Sequence, residues 1–211
     1  LPGHGGIFDR IDSLMFVVIV TYVLYQLNVF TWKKKIVILG STGSIGISTL
    51  DVIKKNKKNF DVVLLSANNN YKKLIEQAKQ FDVKNVLIRN QNYYSKVKNS
   101  LKKTKVYSGN IPITNIISGK IDYTMSAIVG LAGLQPTVDA IKISKTVAIA
   151  NKETIICGWE VLSKYIKKYK TKILPVDSEH FSIMELTKGV SDNEIEEIII
   201  TASGGPFLNM S

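Results

Sequence analysis

The sequence predicts a doubly wound α/β fold built on a mainly parallel β-sheet. Short runs of Val, Ile and Leu alternate with amphipathic segments along most of the 211 residues. Continuous apolar strands separated by helices are what a parallel sheet covered on both faces requires. A glycine-rich turn also follows the first apolar run, which is where such folds bind nucleotides. The pattern is therefore Rossmann-like.

The elements follow one another along the chain as this fold requires. The apolar runs predict strands at residues 35–40, 61–66, 84–88, 122–127, 146–150, 172–176 and 197–201. The 3.6-residue periodicity predicts helices near residues 45–56, 71–81, 93–103, 134–143 and 154–169. Changes of texture after Lys33 and near Pro175 predict three parts: a tail at 1–33, a Rossmann-like domain at 34–174, and the beginning of a second, α+β domain at 175–211.

The composition is that of a globular protein with a basic surface. Twenty-eight Lys and Arg stand against 17 Asp and Glu, which gives a net charge of +11. The lysines are dispersed over predicted helix faces without interleaved aromatic residues, so we expect a solvated surface and no nucleic-acid partner. The single cysteine, Cys157, suits a reducing compartment and is expected to be buried. We therefore expect residues 34–211 to be cytoplasmic.

The amino-terminal part contains a candidate membrane helix. Residues 14–32 carry no charge and are long enough to cross a hydrocarbon layer as a helix. Three lysines follow at once, as the positive-inside rule expects on the cytoplasmic side. The alternative is a buried helix of a soluble protein. If residues 14–32 form a membrane helix, they are expected to anchor the chain to a membrane.

The sharpest local motif is the turn Gly40-Ser41-Thr42-Gly43-Ser44-Ile45-Gly46. Its G-x-x-G-x-x-G spacing, between a strand and a helix, is a variant of the dinucleotide-binding fingerprint. Small residues let the backbone approach a pyrophosphate, whose charge meets free N–H groups and the positive end of the helix dipole. The turn predicts nucleotide binding, with a purely structural turn as the alternative.

The second strand is followed by Asn68, Asn69 and Asn70, with no carboxylate where an NAD site usually has one. Because a carboxylate would repel a 2′-phosphate, its absence favours NADP over NAD. No Arg or Lys stands within the Asn run, although Lys72 and Lys73 follow it. An asparagine here is also expected to cap the next helix.

Two further polar clusters follow predicted strands and so are expected at the same sheet edge. Asp177, Ser178 and Glu179 could bring two carboxylates to a hard divalent cation and a hydroxyl to a substrate, the alternative being a surface turn or helix cap. Asn151, Lys152 and Glu153 could hold an anion and a cofactor ribose or nicotinamide, the alternative being an ordinary helix start. A third cluster, the glycine turn at 201–207, contributes Ser203.

Five segments in this order resemble the amino-terminal half of the 1-deoxy-D-xylulose 5-phosphate reductoisomerase family. They are KKIVILGSTGSIGISTLDVI, MSAIVGLAGLQPT, AIANKETI, LPVDSEH and TASGGPF, within residues 34–211. In that family NADPH, with Mg or Mn, reduces a rearranged sugar phosphate to 2-C-methyl-D-erythritol 4-phosphate for non-mevalonate isoprenoid synthesis. The resemblance implies an oxidoreductase and isomerase whose partner is a small phosphorylated sugar, and a homodimer at full length.

The resemblance also assigns roles to individual residues. It implies that NADPH contacts Gly40, Thr42, Gly43, Ser44, Ile45, Asn70, Asn151 and Glu153. It implies substrate contacts from Lys152, Ser178, Glu179 and Ser203, with Lys152, Asp177 and Glu179 as catalytic residues. Asp177 and Glu179 would ligate the metal. The pattern departs from the family at Asn68 and Asn69, and the third metal carboxylate is absent, so we expect a fragment that binds cofactor but turns over little.

Residues 1–30 resemble a different family. The stretch LPGHGGIFDRIDSL at residues 1–14 is similar to the carboxyl end of the phosphatidate cytidylyltransferase signature, with Asp9 and Asp12 as its metal-binding acids. The upstream half of that signature is missing, so no cytidylyltransferase activity is expected. Our hypothesis is a joined reading frame. The alternatives to a reductoisomerase function are a membrane-tethered nucleotide-binding module without turnover, or a fragment of a CDP-diacylglycerol synthase.

Overall fold

A computed structural model describes residues 33–199 and contains a seven-stranded, fully parallel sheet in these residues. The strands are β1 (Lys34–Leu39), β2 (Phe60–Ala67), β3 (Asn85–Ile88), β4 (Lys105–Ser108), β5 (Ile121–Ser126), β6 (Ser144–Ile149) and β7 (Lys172–Pro175). Their order across the sheet is β4-β3-β2-β1-β5-β6-β7. The chain therefore builds outward from β1 in one direction and from β5 in the other. The direction reverses between β1 and β5, which is where doubly wound sheets open a crevice.

Within the described residues, five helices connect successive strands, a 3₁₀ turn alone joins β4 to β5, and a sixth helix follows β7. The helices are α1 (Ser44–Lys55), α2 (Tyr71–Gln80), α3 (Tyr94–Ser100), α4 (Leu134–Ile143), α5 (Lys152–Tyr169) and α6 (Ser178–Leu186). Short 3₁₀ turns lie at Lys57–Asn59, Gln91–Tyr93, Ile113–Asn115, Leu131–Gly133 and Asp192–Glu194. Every helix from α1 to α5 falls where the sequence periodicity predicts one.

The core lies on both faces of the sheet because side chains alternate along each strand. In β1, Ile36 and Ile38 face one apolar cluster, and Val37 and Leu39 face the other. The first cluster takes Leu50 and Ile53 of α1, Leu74 and Ala78 of α2, and Val97 of α3. The second takes Val138 and Ile141 of α4 and Leu162 of α5. This arrangement confirms the predicted Rossmann-like, doubly wound fold.

Two elements were not expected from the sequence. Strand β4 was missed because its four residues, KVYS, place only Val106 in the core and form no apolar run. Helix α6 was missed because its residues show no clear apolar stripe, and Phe181 and Leu186 are exposed. Of the strand predicted at 197–201, residues 197–199 have no strand assignment, and residues 200–201 lie outside the described part.

Cys157 is exposed, which makes the expectation of a buried cysteine wrong. Helix α5 buries Thr154, Gly158 and Leu162, spaced four residues apart, and Cys157 lies off that stripe. The candidate membrane segment at 14–32 lies outside the described residues. None of the helices within residues 33–199 has the length and apolarity needed to cross a bilayer. The three-part domain division stays a prediction.

Candidate functional site

A cavity opens at the carboxyl edge of the sheet, where the strand order reverses. This central cavity has a volume of about 520 Å³ and lies between the loops that follow β1 and β5. Its lining residues are Gly40, Thr42, Gly43, Ser66, Ala67, Asn68, Arg89, Asn110, Ala127, Ile128, Val129 and Ala132. A cavity of this size is typical of small-molecule sites. The predicted glycine turn therefore lines a binding-sized crevice at the switch point.

Two glycines of the turn are required by the backbone itself. Gly40 has φ +79°, and a Cβ there would lie 2.6 Å from the carbonyl oxygen of Ala127. A Cβ on Gly46 would overlap the Gly40 carbonyl oxygen and lie 2.6 Å from Ser41 Cα. At Gly43 a Cβ would meet only the Gly40 oxygen, at an ordinary 3.5 Å. Gly43 is therefore free of backbone crowding, and its missing side chain leaves room in the cavity.

Buried polar side chains hold the turn in place. Ser41 Oγ donates to Gln77 Oε1 at 2.8 Å, and Gln77 Nε2 donates back to the Ser41 carbonyl at 2.8 Å. Gln77 lies on α2 and is 3% exposed. On the other side, Gly40 N donates to Ser66 Oγ at 3.1 Å, and Ser41 N donates to the Ser66 carbonyl at 2.8 Å. The turn is thus pinned to both β2 and α2 without a ligand.

Helix α1 begins at this turn with its N–H groups directed toward the cavity end. Its N-cap, Gly43, offers no side-chain acceptor, and its first turn contains no acidic residue. The first N–H groups of an uncapped helix and the positive end of its dipole attract anions. Ser44 and Ile45 of this first turn line a second cavity beside the central one.

The second cavity, which we call the lysine cavity, has a volume of about 350 Å³. It joins the start of α1 to the predicted clusters that follow β6 and β7. Its lining residues are Gly43, Ser44, Ile45, Ala127, Ile128, Val129, Ala150, Asn151, Lys152, Glu153 and Asp177. Lys152 and Glu153 are exposed, so an ammonium and a carboxylate are available to a ligand. The structure therefore brings the glycine turn, Lys152 and Asp177 to one crevice.

Both polar atoms of the Asn151 side chain form hydrogen bonds within the protein. Its Nδ2 donates to the carbonyl oxygens of Ile128 and Gly130, at 2.5 and 2.6 Å. Its Oδ1 accepts the N–H of Thr154 at 3.2 Å and so caps α5, and the residue is 4% exposed. The expected helix cap is present. The same side chain fixes the loop after β5, which forms a wall of both cavities.

Asp177 caps the start of α6. Its Oδ1 accepts the backbone N–H of His180 at 2.9 Å and contacts His180 Nδ1. Burial raises the pKa of the Asp177 carboxyl, but the hydrogen bonds from the His180 backbone and ring outweigh it and leave the pKa below its usual value. Asp177 therefore presents an anionic carboxylate to the lysine cavity.

Of the remaining predicted site residues, the structure describes the side chain of Asn70 but not those of Ser178, Glu179 and Ser203. Ser178 and Glu179 lie in the first turn of α6, but their side chains are not among those described. Ser203 lies outside the described residues. Asn70 caps α2 by accepting the Lys73 N–H at 3.2 Å, as expected, and is exposed. Among the side chains that the structure describes, no three His, Cys, Asp or Glu form a metal cluster.

Sequence reasoning missed Arg89, Asn110, Ser66 and Gln77. Arg89 follows β3 and lines the central cavity together with Asn110, which follows β4. Ser66 and Gln77 hold the glycine turn. Their partners lie 21 to 43 residues away in the chain, so no local motif reveals them. For Arg89, its position directly after a predicted strand was the available signal.

Comparisons with known proteins agree with this geometry. The family model described as 1-deoxy-D-xylulose 5-phosphate reductoisomerase matches residues 36–158, and the model of that enzyme's C-terminal domain matches residues 173–211. A model of the cytidylyltransferase family matches residues 1–28, in agreement with the second resemblance. The reductoisomerase of Pelagibacter ubique is 54% identical over 182 residues, which are 84% of this chain and 47% of the relative. The chain thus spans about half the length of the curated relatives it matches.

Solved structures are also similar to this chain. The reductoisomerase of Zymomonas mobilis in complex with NADPH matches with a TM-score of 0.79 and 38% identity, over 85% of this chain and 48% of that one. A reductoisomerase in complex with NADPH, fosmidomycin and magnesium matches with a TM-score of 0.73 and 29% identity, over 84% of this chain and 47% of that one. Since the family model covers more than half of the sequence, the chain belongs to the 1-deoxy-D-xylulose 5-phosphate reductoisomerase family.

Proposed function

We propose that this chain supplies the NADPH-binding part and the first metal and substrate ligands of a 1-deoxy-D-xylulose 5-phosphate reductoisomerase. The reaction converts 1-deoxy-D-xylulose 5-phosphate to 2-C-methyl-D-erythritol 4-phosphate in non-mevalonate isoprenoid synthesis. One observation carries the proposal: the glycine turn, Lys152 and Asp177 line a single cavity. A nucleotide on the turn and a substrate beside Lys152 would then be close enough to react.

The nucleotide part of the proposal rests on the central cavity. The N–H groups at the start of α1 would meet the NADPH phosphates, and Gly43 leaves room for them. Thr42, Ser44 and Ile45 are half-buried or exposed at this turn and would contact the same phosphates. The bound cofactor supplies the hydride. The solved relatives that contain NADPH support this choice of cofactor.

The loop after β5 and the start of α5 would form the nicotinamide end of the site. Asn151 holds this loop through Ile128 and Gly130, so we assign it a positioning role in addition to any cofactor contact. Glu153 and Lys152 are exposed in the same cavity. We propose that Lys152 holds an anionic oxygen of the substrate, because a compact ammonium suits such a charge.

A divalent metal fits the chemistry of the residues present. Asp177 offers a hard, anionic oxygen in the lysine cavity, which Mg²⁺ and Mn²⁺ prefer. We propose Asp177 and Glu179 as metal ligands and Ser178, Glu179 and Ser203 as substrate contacts. When bound, the metal polarises substrate oxygens as a Lewis acid. The complex with fosmidomycin and magnesium in a relative supports the choice of metal.

Two measurements test the function in turn. Titration of the purified chain with NADPH, followed by nucleotide fluorescence, is expected to show saturable binding. The residues that complete the Pelagibacter ubique relative can then be fused after residue 211, and NADPH oxidation followed with substrate and Mn²⁺. Turnover that depends on substrate and metal is expected. No NADPH binding by folded chain would contradict the proposal.

Two matched variants sharpen this assay. In the fusion, Asp177→Asn keeps an N-cap side chain but removes the charge, so turnover should fall at least 100-fold while NADPH binding persists. Lys152→Ala should raise KM for the substrate, whereas Lys164→Ala should not. Both lysines are exposed on α5, and Lys164 pairs with Glu160 outside the cavity. Equal effects of the two lysine variants would exclude a substrate role for Lys152.

Several expectations about the whole protein stay predictions. These are the cytoplasmic location, the homodimer and the membrane contact through residues 14–32. The match of residues 1–28 to the cytidylyltransferase family supports the hypothesis of a joined reading frame. Resequencing the locus for a stop codon between Gln26 and Lys35 tests that hypothesis directly.

A further inference from the structure

The described structure lacks an obvious cation at the place where an NADP site needs one. Rossmann-like folds recognise the adenosine ribose at the end of β2. Here β2 is followed by Asn68, Asn69 and Asn70, which carry no charge. Lys72 and Lys73 follow this run, and the Lys73 ammonium is paired with Glu76 at 3.0 Å. Neither Lys72 nor Lys73 lines the central cavity.

Arg89 reaches this place from the neighbouring strand. It follows β3, which lies beside β2 in the sheet. Its backbone N–H donates to the Ala67 carbonyl at 2.9 Å, and the Asn90 N–H donates to the Asn68 carbonyl at 3.2 Å. Asn90 Nδ2 also donates to Asn69 Oδ1 at 2.9 Å. The start of the loop after β3 is thus fixed against the asparagine run.

The guanidinium of Arg89 is half-buried and oriented by neutral partners. Nε and Nη2 donate to Asn110 Oδ1 at 3.1 and 2.7 Å, and Nη1 contacts the Ala132 carbonyl at 3.4 Å. In the described part of the chain no carboxylate forms a salt bridge with it. A guanidinium has five N–H donors, so donors and the full charge remain for a ligand.

Arg89 also belongs to the lining of two adjoining cavities. It lines the central cavity and an adjoining apolar cavity of about 270 Å³, whose walls include Leu39, Leu87, Ile111, Ile113 and Pro136. A flat aromatic base suits an apolar cavity of this kind, whereas phosphates suit the glycine turn. A group attached to the ribose between base and pyrophosphate would then lie near Arg89.

We propose that Arg89 determines the preference for NADPH over NADH by binding the 2′-phosphate of the adenosine ribose. This inference rests on the proposed function, because it assumes that the central cavity binds the dinucleotide. A planar guanidinium binds phosphate oxygens through paired N–H donors, which neither a lysine nor the asparagine run can do. The cation is supplied from the end of β3 instead of from the turn after β2.

Nucleotide affinities of the full chain test the inference. Calorimetric titrations with NADPH, NADH, 2′,5′-ADP and 5′-ADP are made on the parent chain and on Arg89→Gln. The variant should bind NADPH and 2′,5′-ADP about 10- to 100-fold more weakly, as expected for loss of charge-assisted hydrogen bonds. Its affinities for NADH and 5′-ADP should change less than twofold. Lys73→Gln removes an equal charge nearby and should change none of the four affinities.

A second variant protects the test against misfolding. Arg89→Lys keeps the charge but loses the paired donors, so it should retain only part of the NADPH preference. Equal losses for NADPH and NADH in either variant would show that Arg89 acts on a shared part of the nucleotide and would overturn the inference. A parent chain that binds both dinucleotides equally would overturn it while leaving the cofactor site intact. A parent chain that binds neither would overturn the proposed function as well.

Discussion

The two edges of the sheet differ in how their charges are satisfied. At the amino edge, Asp122 at the start of β5 accepts the Lys35 N–H from β1 at 2.9 Å and pairs with Lys145 of β6 at 2.7 Å. At the carboxyl edge, Arg89 and Lys152 line cavities and form no salt bridge within the described residues. At the amino edge the charge of Asp122 is thus neutralised by an ion pair. At the carboxyl edge the charges of Arg89 and Lys152 remain available to a ligand.

Buried hydrogen bonds nevertheless hold the loops of the carboxyl edge in place. Gln77 and Asn151 are buried there, and their side-chain amides form hydrogen bonds with the loops that line the cavities. Buried amides hold loops well because breaking one of their hydrogen bonds leaves an unsatisfied polar group. The comparison teaches that buried amides fix the loops of this edge, whereas Arg89 and Lys152 keep their charges available to a ligand. Substitutions at the two kinds of position should therefore have separable effects.

The largest effect is expected in the glycine turn. Gly46→Ala places a Cβ against the Gly40 oxygen and Ser41, so it should lower the free energy of unfolding by more than about 3 kcal/mol and abolish NADPH binding. Gly43→Ala meets no backbone atom closer than 3.5 Å, so it should leave stability nearly unchanged but weaken NADPH binding. Denaturant unfolding and nucleotide titration measure both. Equal stability of the two variants would contradict the assigned difference.

The next largest effect is a difference in stability between variants of the buried Asn151 and of the exposed Lys152 beside it. Asn151→Ala removes two hydrogen bonds to buried carbonyls and the cap of α5, which should cost about 2–3 kcal/mol of stability. Lys152→Ala is expected to change stability by less than about 0.5 kcal/mol because the side chain is exposed. Unfolding curves of both proteins give the comparison. A destabilised Lys152 variant would show that this lysine has a structural role.

A smaller, pH-dependent effect is expected at the amino edge. The hydrogen bond from Lys145, with the Lys35 N–H, lowers the pKa of Asp122 against the opposing effect of burial. A lowered pKa in the folded state means that Asp122 stabilises the fold above its unfolded pKa, and that this contribution is lost as pH falls through the lower, folded value. The group is partly exposed, so the contribution should be about 0.5–1 kcal/mol.

Asp122→Asn checks this directly. The variant should be less stable than the parent at pH 7, and the difference should shrink as pH falls below about 4. Unfolding free energies measured at several pH values give the answer. A difference that stays constant down to pH 2 would exclude an ionic contribution.

The smallest effect is expected on the outer surface of α5. Glu160 and Lys164 form a fully exposed pair at 3.0 Å, with side chains 86% and 72% exposed. Such pairs contribute at most a few tenths of a kcal/mol. Lys164→Ala should leave both thermal unfolding and NADPH binding unchanged, which also makes it the control for Lys152→Ala. A shift in nucleotide affinity would extend the site beyond the two cavities.

The sequence predicts the local parts of this molecule better than the parts that meet across the sheet. Continuous apolar runs identify β1, β2 and β3, and the strand-end rule brings Asn151, Lys152 and Asp177 to one edge. Strand β4 was missed because its pairing with β3, rather than its own apolarity, makes it a strand. The hydrogen bond between Ser41 and Gln77 likewise joins residues that are distant in the sequence, so it could not be predicted from a local pattern.

Arg89 shows why part of the candidate site stays hidden from sequence reasoning. Its surroundings come from Asn110 after β4 and Ala132 in the loop before α4. Neither residue stands in a recognisable motif, and β4 itself was not expected. Only the sheet order reveals that the end of β3 lies beside the asparagine run that follows β2.

The most direct test is hydrogen exchange of the chain with and without saturating NADPH. The nucleotide is expected to slow amide exchange at residues 41–47 and 127–130, two segments that contain lining residues of the carboxyl-edge cavities. It should leave residues 34–36, 121–123 and 144–146 at the amino edge unchanged. Protection spread evenly over both edges, or absent from residues 41–47, would contradict a single nucleotide crevice at the switch point.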